Sequence, residues 1–219
     1  SLAVDALRNE KVMGNAEKST YFSGIIKEEN KRMNKHVETI LQAGLMDRQD
    51  IRMSMEKKSV HNLVKEVLSN YELQLNGRNA TVELLLNAKN DMVNADEVHF
   101  SNLVSNLVDN AIKYSKDNIP LQLKITTHST AKYFVMQFED NGIGMSKETS
   151  KRIFEKFYRA TTGNVHNVKG FGLGMSYVKT IIDAHKGRIK VESTLGKGST
   201  FVIELPLSNP GDVKEDSSW

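Results

Sequence analysis

Apolar residues recur at helical spacing in the first part of the chain and give way to alternation further on. Between Ala16 and Met46, Phe22, Ile26, Met33, Val37, Ile40, Leu41 and Leu45 form one stripe, with Lys, Glu, Arg and Asn on the other faces. This predicts a long helix. A stripe so narrow on a helix so long needs a partner helix, in this chain or another, and a helical hairpin that dimerises into a four-helix bundle fits best. A lone helix packed on the following domain is the alternative. Residues 2–8, LAVDALR, read as the end of an earlier helix, and Asn9–Asn15, containing Gly14, as the turn between them.

Arg52–Val60 alternates weakly, as a short strand would. Helical periodicity returns at His61–Leu75 and stops near Asn76-Gly77, and Thr81–Ala88 reads as a strand. Asp96 is placed to cap the next helix, whose centre is Asn102–Ser115, NLVSNLVDNAIKYS. At about 100° per residue, Leu103, Val104, Leu107, Val108, Ala111 and Ile112 share one arc, while Asn102, Asn106, Asn110 and Lys113 line one edge of it. Leu121–Thr127 and Tyr133–Phe138 alternate on either side of His128-Ser129-Thr130, a hairpin. A final helix opens at Gly170–Gly174 with Met175, Val178, Ile181 and Ile182 on its apolar side. Strands Arg188–Ser193 and Thr200–Leu205 follow, around a Gly196-Lys197-Gly198 turn.

Composition narrows the class. The 219 residues suffice for one large or two small domains with a real core. A hydrophobic share of 39%, a charged share of 26% and a net charge of +3 are those of an ordinary soluble protein; they give no basis for a nucleic-acid groove or a polybasic membrane patch. Cysteine is absent, which excludes disulfide and thiol chemistry. The longest apolar clusters, such as that around Val82–Leu86, are far too short to span a bilayer. No signal peptide is evident and Ser1 begins in the middle of a pattern, so a piece of a longer protein is expected.

The chemistry lies in four stretches. Asparagines every fourth residue are poor choices for a merely solvated helix edge, and their amide oxygens suit a hard cation with its phosphates. An amphipathic core helix with polar flanks is the plainer reading. In Glu139-Asp140-Asn141-Gly142-Ile143-Gly144-Met145, two glycines one residue apart let backbone approach a flat ligand, and Asp140 is placed to accept from an exocyclic amino group such as adenine N6. The same DNG is common turn chemistry. Ile153–Arg159 is aromatic and amphipathic and precedes a polar stretch, Ala160–Lys169. The expectation is a mobile lid anchored by Phe154 and Phe157 in an apolar crevice, with Arg159 reaching a terminal phosphate. Gly170-Phe171-Gly172-Leu173-Gly174, at a helix N-terminus, presents N–H donors to an anion. It is not a dinucleotide fingerprint, since Gly174 comes one residue early, and GKGS at 196–199 lacks the upstream glycine of a phosphate-binding P-loop.

In this order and spacing, NLVSNLVDNAIKY, EDNGIGM, IFEKFYRA and GFGLGMSYVKTIIDAHKGRI resemble the N box, first glycine box, F box and second glycine box of bacterial sensor histidine kinases. The resemblance runs from Arg52 to Pro206, and the preceding helix resembles the second helix of that family's dimerisation and histidine-phosphotransfer domain. It implies an α+β fold, a two-layer α/β sandwich of the Bergerat type with a mixed, mostly antiparallel sheet and three helices. The implied organisation is a partial helical hairpin over 1–50, the ATP-binding catalytic domain over 51–206 and a disordered tail over 207–219.

By the same resemblance the cofactors are ATP and Mg2+. Asn110 is the metal ligand, with Asn106 beside it near the phosphates; Lys113 and Tyr114 are nucleotide contacts. Asp140 reads adenine between Gly142, Ile143 and Gly144, and Arg159 touches the γ-phosphate. Gly170, Phe171, Gly172, Leu173 and Gly174 form the lid hinge. The implied partners are a second copy, through the N-terminal helices, and a response-regulator receiver domain. The implied location is the cytoplasmic side of a protein anchored in the inner membrane by upstream segments. The family's phosphate-accepting histidine lies in a His-Glu-x-x-Thr-Pro context that none of the six histidines here shares. Neither His36, on the matching second helix, nor His61, His99, His128, His166 or His185 stands in for it, so the acceptor of this phosphoprotein is expected upstream. The alternative is an ATP-gated switch or hydrolase of the gyrase, Hsp90 and MutL superfamily, which would want a carboxylate at Asn106.

Overall fold

Alternation in the central hairpin sets the architecture. Strand β4 (Gln122–Ser129) turns Leu123, Ile125 and Thr127 inward, and β5 (Tyr133–Asp140) does the same with Phe134, Met136 and Phe138, all of them essentially without solvent exposure. The computed structural model describes residues 15–27, 29–30, 44, 53–159 and 171–208. It divides into two compact units, Ser1–Asp50 and Ile51–Trp219.

In the first unit residues 16–27 and 29–30 and Gly44 are helical, with Phe22, Ile25 and Ile26 half-buried. The remainder of the long-helix prediction, the LAVDALR segment, His36 and the 9–14 turn lie outside the described residues.

The second unit begins with a two-stranded antiparallel ribbon, β1 (Glu56–Ser59) against β3 (Met92–Ala95). Helices α1 (Val60–Asn70) and α2 (Glu72–Asn76) lead into β2 (Thr81–Leu86), and β3 leads into α3 (Glu97–Lys113). After the hairpin come α4 (Lys147–Arg152), α5 (Gly174–Ala184), β6 (Arg188–Thr194) and β7 (Gly198–Pro206). The five-stranded sheet has the order β2-β4-β5-β7-β6, parallel only between β2 and β4. Helices α1, α3 and α5 lie side by side with α3 in the middle. Their apolar stripes, Val60, Leu63, Val64 and Val67 on α1, Phe100, Leu103, Val104, Leu107 and Val108 on α3, Val178, Ile181 and Ile182 on α5, are buried and form the core with the inner face of the sheet. The outer face stays wet: Lys124 pairs with Glu83 at 3.2 Å, and Gln137, Lys190 and Glu192 are exposed.

Three expectations need correcting. The single helix expected over 61–75 breaks at Tyr71, whose φ of −99° and ψ of 1° end one helix and open the next, while its hydroxyl donates to Ser105 O on α3. Both halves still bury an apolar side, so the periodicity runs through the break. Residues 92–95, read only as a lead into α3, form a strand. Leu207 and Ser208, read as the start of the tail, are held by backbone bonds from Leu207 N to Lys132 O (2.9 Å) and from Ser208 N to Met92 O (3.0 Å). Residues 209–219 lie outside the described set.

Candidate functional site

Helix α3 is capped by Asp96, whose carboxylate accepts His99 N at 2.9 Å. Its polar edge then runs antiparallel to α5. Asp96 N donates to His185 Nε2 at 3.2 Å, and His99 Nδ1 lies 2.9 Å from the Tyr177 hydroxyl, which also bonds the Asn102 side chain. One turn on, Asn106 Nδ2 donates to Asn102 O at 2.8 Å, which leaves Oδ1 facing Gly174; a Cβ on that glycine would lie 2.7 Å from it. The asparagine row therefore divides. Asn102 is spent on joining two helices, whereas Asn106 holds its oxygen against the start of α5.

That start is open. Ser59, Asp96 and Ser146 cap α1, α3 and α4 with their side chains, but α5 follows Leu173 with no side-chain cap, so its first-turn N–H groups have no capping side chain among the described residues. An uncapped helix N-terminus beside an amide oxygen is a place for phosphate and its cation. Further along the edge, Asn110 is half-buried one turn after Asn106. The Lys113 ammonium sits 5.1 Å from the centre of the Tyr114 ring. Among the described residues no three His, Cys, Asp or Glu side chains could hold a metal. The donors present, amide oxygens one turn apart, fit a hard cation that takes its remaining ligands from phosphate and water.

The loop after β5 is tied to the end of the same helix. Ile143 N donates to Tyr114 O at 2.9 Å, and a Cβ on Gly142 would lie 2.5 Å from that carbonyl. Asp140 Oδ1 accepts Gly142 N at 2.8 Å. Burial pushes the Asp140 carboxyl up and Glu139 adds to the rise; the N–H groups of Gly142 and Ser199 and the charge of Lys116 offset part of it. Half-buried and bonded by two backbone N–H groups, it is an acceptor with lone pairs still to offer. Burial likewise raises the Tyr114 hydroxyl, partly offset by Arg159 nearby. The structure thus joins Asn106 with Gly174, and Tyr114 with Gly142 and Ile143.

The wall behind the loop comes from 196–198, where the sequence predicts only a turn. Gly144 has a φ of +64°, and a Cβ there would lie 2.1 Å from Thr194 O; Gly196 N donates to Ile143 O at 2.7 Å. The glycines of both turns are the available signal: Gly142, Gly144 and Gly198 each mark a close backbone approach, while Gly196 has open space around it and is there for its φ of +79°.

On the lid side, Phe157 (φ +62°) donates its N–H to Gly172 O at 3.0 Å, and Gly172 has a φ of +74°. The expected burial of Phe157 is not found. Its ring is 66% exposed, because the positive φ turns it outward, while Phe154 is half-buried. Arg152 lies 4.4 Å over the Tyr158 ring. Phe171 is exposed and Leu173 is buried in the core. Gly170 and the expected lid at 160–169 lie outside the described residues.

The family described as "Histidine kinase-, DNA gyrase B-, and HSP90-like ATPase" matches residues 95–209. Sensor protein RprX of Bacteroides fragilis is 41% identical over 207 residues, covering 94% of this chain and 40% of RprX. The chain thus spans less than half of that relative. Among solved structures, the catalytic domain of histidine kinase ThkA is 27% identical, with a TM-score of 0.58 over 70% of this chain and 98% of that one. Histidine kinase ThkA in complex with response regulator protein TrrA aligns with a TM-score of 0.66 at 23% identity, over 89% of this chain and 53% of that one.

Proposed function

The chain belongs to the histidine kinase-, DNA gyrase B- and HSP90-like ATPases and carries the ATP-binding domain of a sensor histidine kinase, and from this we propose that it positions Mg-ATP for transfer of the γ-phosphoryl group to a histidine. That histidine would belong to an upstream helix of the parent protein, and a response-regulator aspartate would receive the group next. The reading rests above all on one observation, the Asn106 amide oxygen held against the uncapped N-terminus of α5.

The chain's own residues do three things in this account. Asp140 accepts a hydrogen bond from the adenine amino group; guanine offers a carbonyl there and would face the carboxylate with a second acceptor. Asn106 and the α5 N-terminus orient the phosphates, and Lys113 and Arg159 balance their charge. Asn110 would hold Mg2+, which supplies neutralisation of the charge spread over the transferred phosphoryl group. An amide at 106 cannot act as a general base on water, which favours transfer over hydrolysis.

The partners follow from the same reading. ThkA is seen with a response regulator, and a receiver domain is the proposed acceptor here. The N-terminal helical segment is proposed to pair with a second copy, and segments outside this chain to anchor the parent in the inner membrane. No described helix is long and apolar enough to cross a membrane. Titration calorimetry of the 219-residue chain tests the site. ATP is expected to bind well over tenfold more tightly than GTP, and Asn110→Ala to abolish the dependence on magnesium. Equal ATP and GTP affinities would remove the assignment of Asp140, and an unchanged magnesium response in Asn110→Ala that of the metal ligand.

A further inference from the structure

The β6–β7 hairpin holds a serine whose hydrogen-bonding capacity is fully used behind the Asp140 loop. Ser193 Oγ donates to Gly198 O at 2.8 Å, accepts Met145 N at 2.8 Å and lies 3.0 Å from Ser199 Oγ. A hydroxyl has one proton and two lone pairs. With its proton on Gly198 O, both lone pairs are filled, by Met145 N–H and by the Ser199 hydroxyl, which must then be the donor. All three partners adjoin Asp140. Met145 closes the Asp140–Gly144 loop. Ser199 pairs with Asp140 across β5 and β7 and gives the carboxyl its backbone N–H. Gly198 (φ +125°) lies under Asp140, since a Cβ on it would be 2.0 Å from Asp140 O.

We infer that Ser193 is a positioning residue for purine selection, its hydroxyl fixing the Asp140 loop and the Ser199 strand in one register so that the carboxylate meets the base at a set place. The strand's apolar positions on the same side are the buried Ile189 and the half-buried Val191, so Ser193 is set apart by its three hydrogen bonds. The inference rests on the adenine role of Asp140 proposed above and adds the residue that makes that role precise in space.

The test is ADP and GDP affinity of the full 219-residue chain by calorimetry, with unfolding temperature read alongside. Ser193→Ala is expected to weaken ADP about tenfold, the scale of a lost buried hydrogen bond, and to leave GDP nearly unchanged, so that the ADP/GDP ratio falls. Ser193→Thr keeps the proton and both lone pairs and is expected to restore the ratio. Val191→Ala, which thins the same strand without touching the loop, is expected to lower the unfolding temperature and keep the ratio. A ratio in Ser193→Ala equal to that of the parent, or a loss matched by Val191→Ala, overturns the inference, as does a folded Ser193→Thr that fails to restore it. Asp140→Asn separates the two levels. If it erases discrimination while Ser193→Ala does not, only the serine's role fails; if it keeps discrimination, the base-reading role falls and this inference with it.

Discussion

Replacing Gly174 by alanine should separate folding from nucleotide binding at this site. The added Cβ would sit 2.7 Å from Asn106 Oδ1, against ordinary contacts of 3.4 Å or more, and the atom it meets is the end of a side chain. Asn106 can therefore swing away, giving up its 2.8 Å bond to Asn102 O at about 1 kcal/mol. Alanine at a helical position with negative φ returns about 0.4–1 kcal/mol through the unfolded chain. The two nearly cancel, so the unfolding temperature should move by less than about 3 °C. Binding should fare worse, since an amide turned from its phosphate or cation loses a charge-assisted contact of about 1.5–3 kcal/mol, or roughly tenfold to a hundredfold in Kd. The assay is calorimetry with a non-hydrolysable ATP analogue and magnesium on four proteins: the parent, Gly174→Ala, Asn106→Ala and the double variant. In the Asn106→Ala background the clash has no target, and Gly174→Ala should then change affinity by less than about twofold. Two losses that simply multiply would refute the coupling.

Two further outcomes follow from the geometry. Gly144→Ala places a Cβ 2.1 Å from a backbone carbonyl at a φ of +64°, so neither atom can yield cheaply; a loss of more than about 2 kcal/mol in urea unfolding is expected, and a near-neutral result would contradict the hairpin-to-loop packing. His185 is held neutral below its usual pKa, first by burial, with Nδ1 on Ile181 O and Nε2 taking Asp96 N–H. Because the unfolded chain then binds the extra proton first, stability is full above about pH 6.5 and declines as pH falls toward the folded pKa, by at most about 1.4 kcal/mol per pH unit for this group. His61, also lowered by burial, contributes in the same window. His185→Gln should remove part of the slope between pH 7 and 5.5, and an unchanged slope would mean that His185 takes no part.

How much could be seen beforehand depended on the range of the interactions. The period of Leu103, Val104, Leu107 and Val108, the Asp96 cap and the alternation of β4 and β5 are local, and the sequence carries them in full. β3 could not be seen, because four residues become a strand only where β1 supplies the ladder. The apolar side chain of Phe157 points to a buried place; its backbone, held at positive φ with its N–H on Gly172 O, leaves it exposed instead.

The same division holds at the site. Residue types and their order alone established the family, the nucleotide chemistry and the polar edge of α3, since these depend on side-chain identity and helical period. They could not say that Asn102 is consumed by Tyr177 while Asn106 is kept for Gly174, nor that the β6–β7 hairpin backs the Asp140 loop. Those assignments arise from groups brought together over 78 positions between His99 and Tyr177 and over 48 between Met145 and Ser193: which amide finds which partner is settled only when helices and strands have packed.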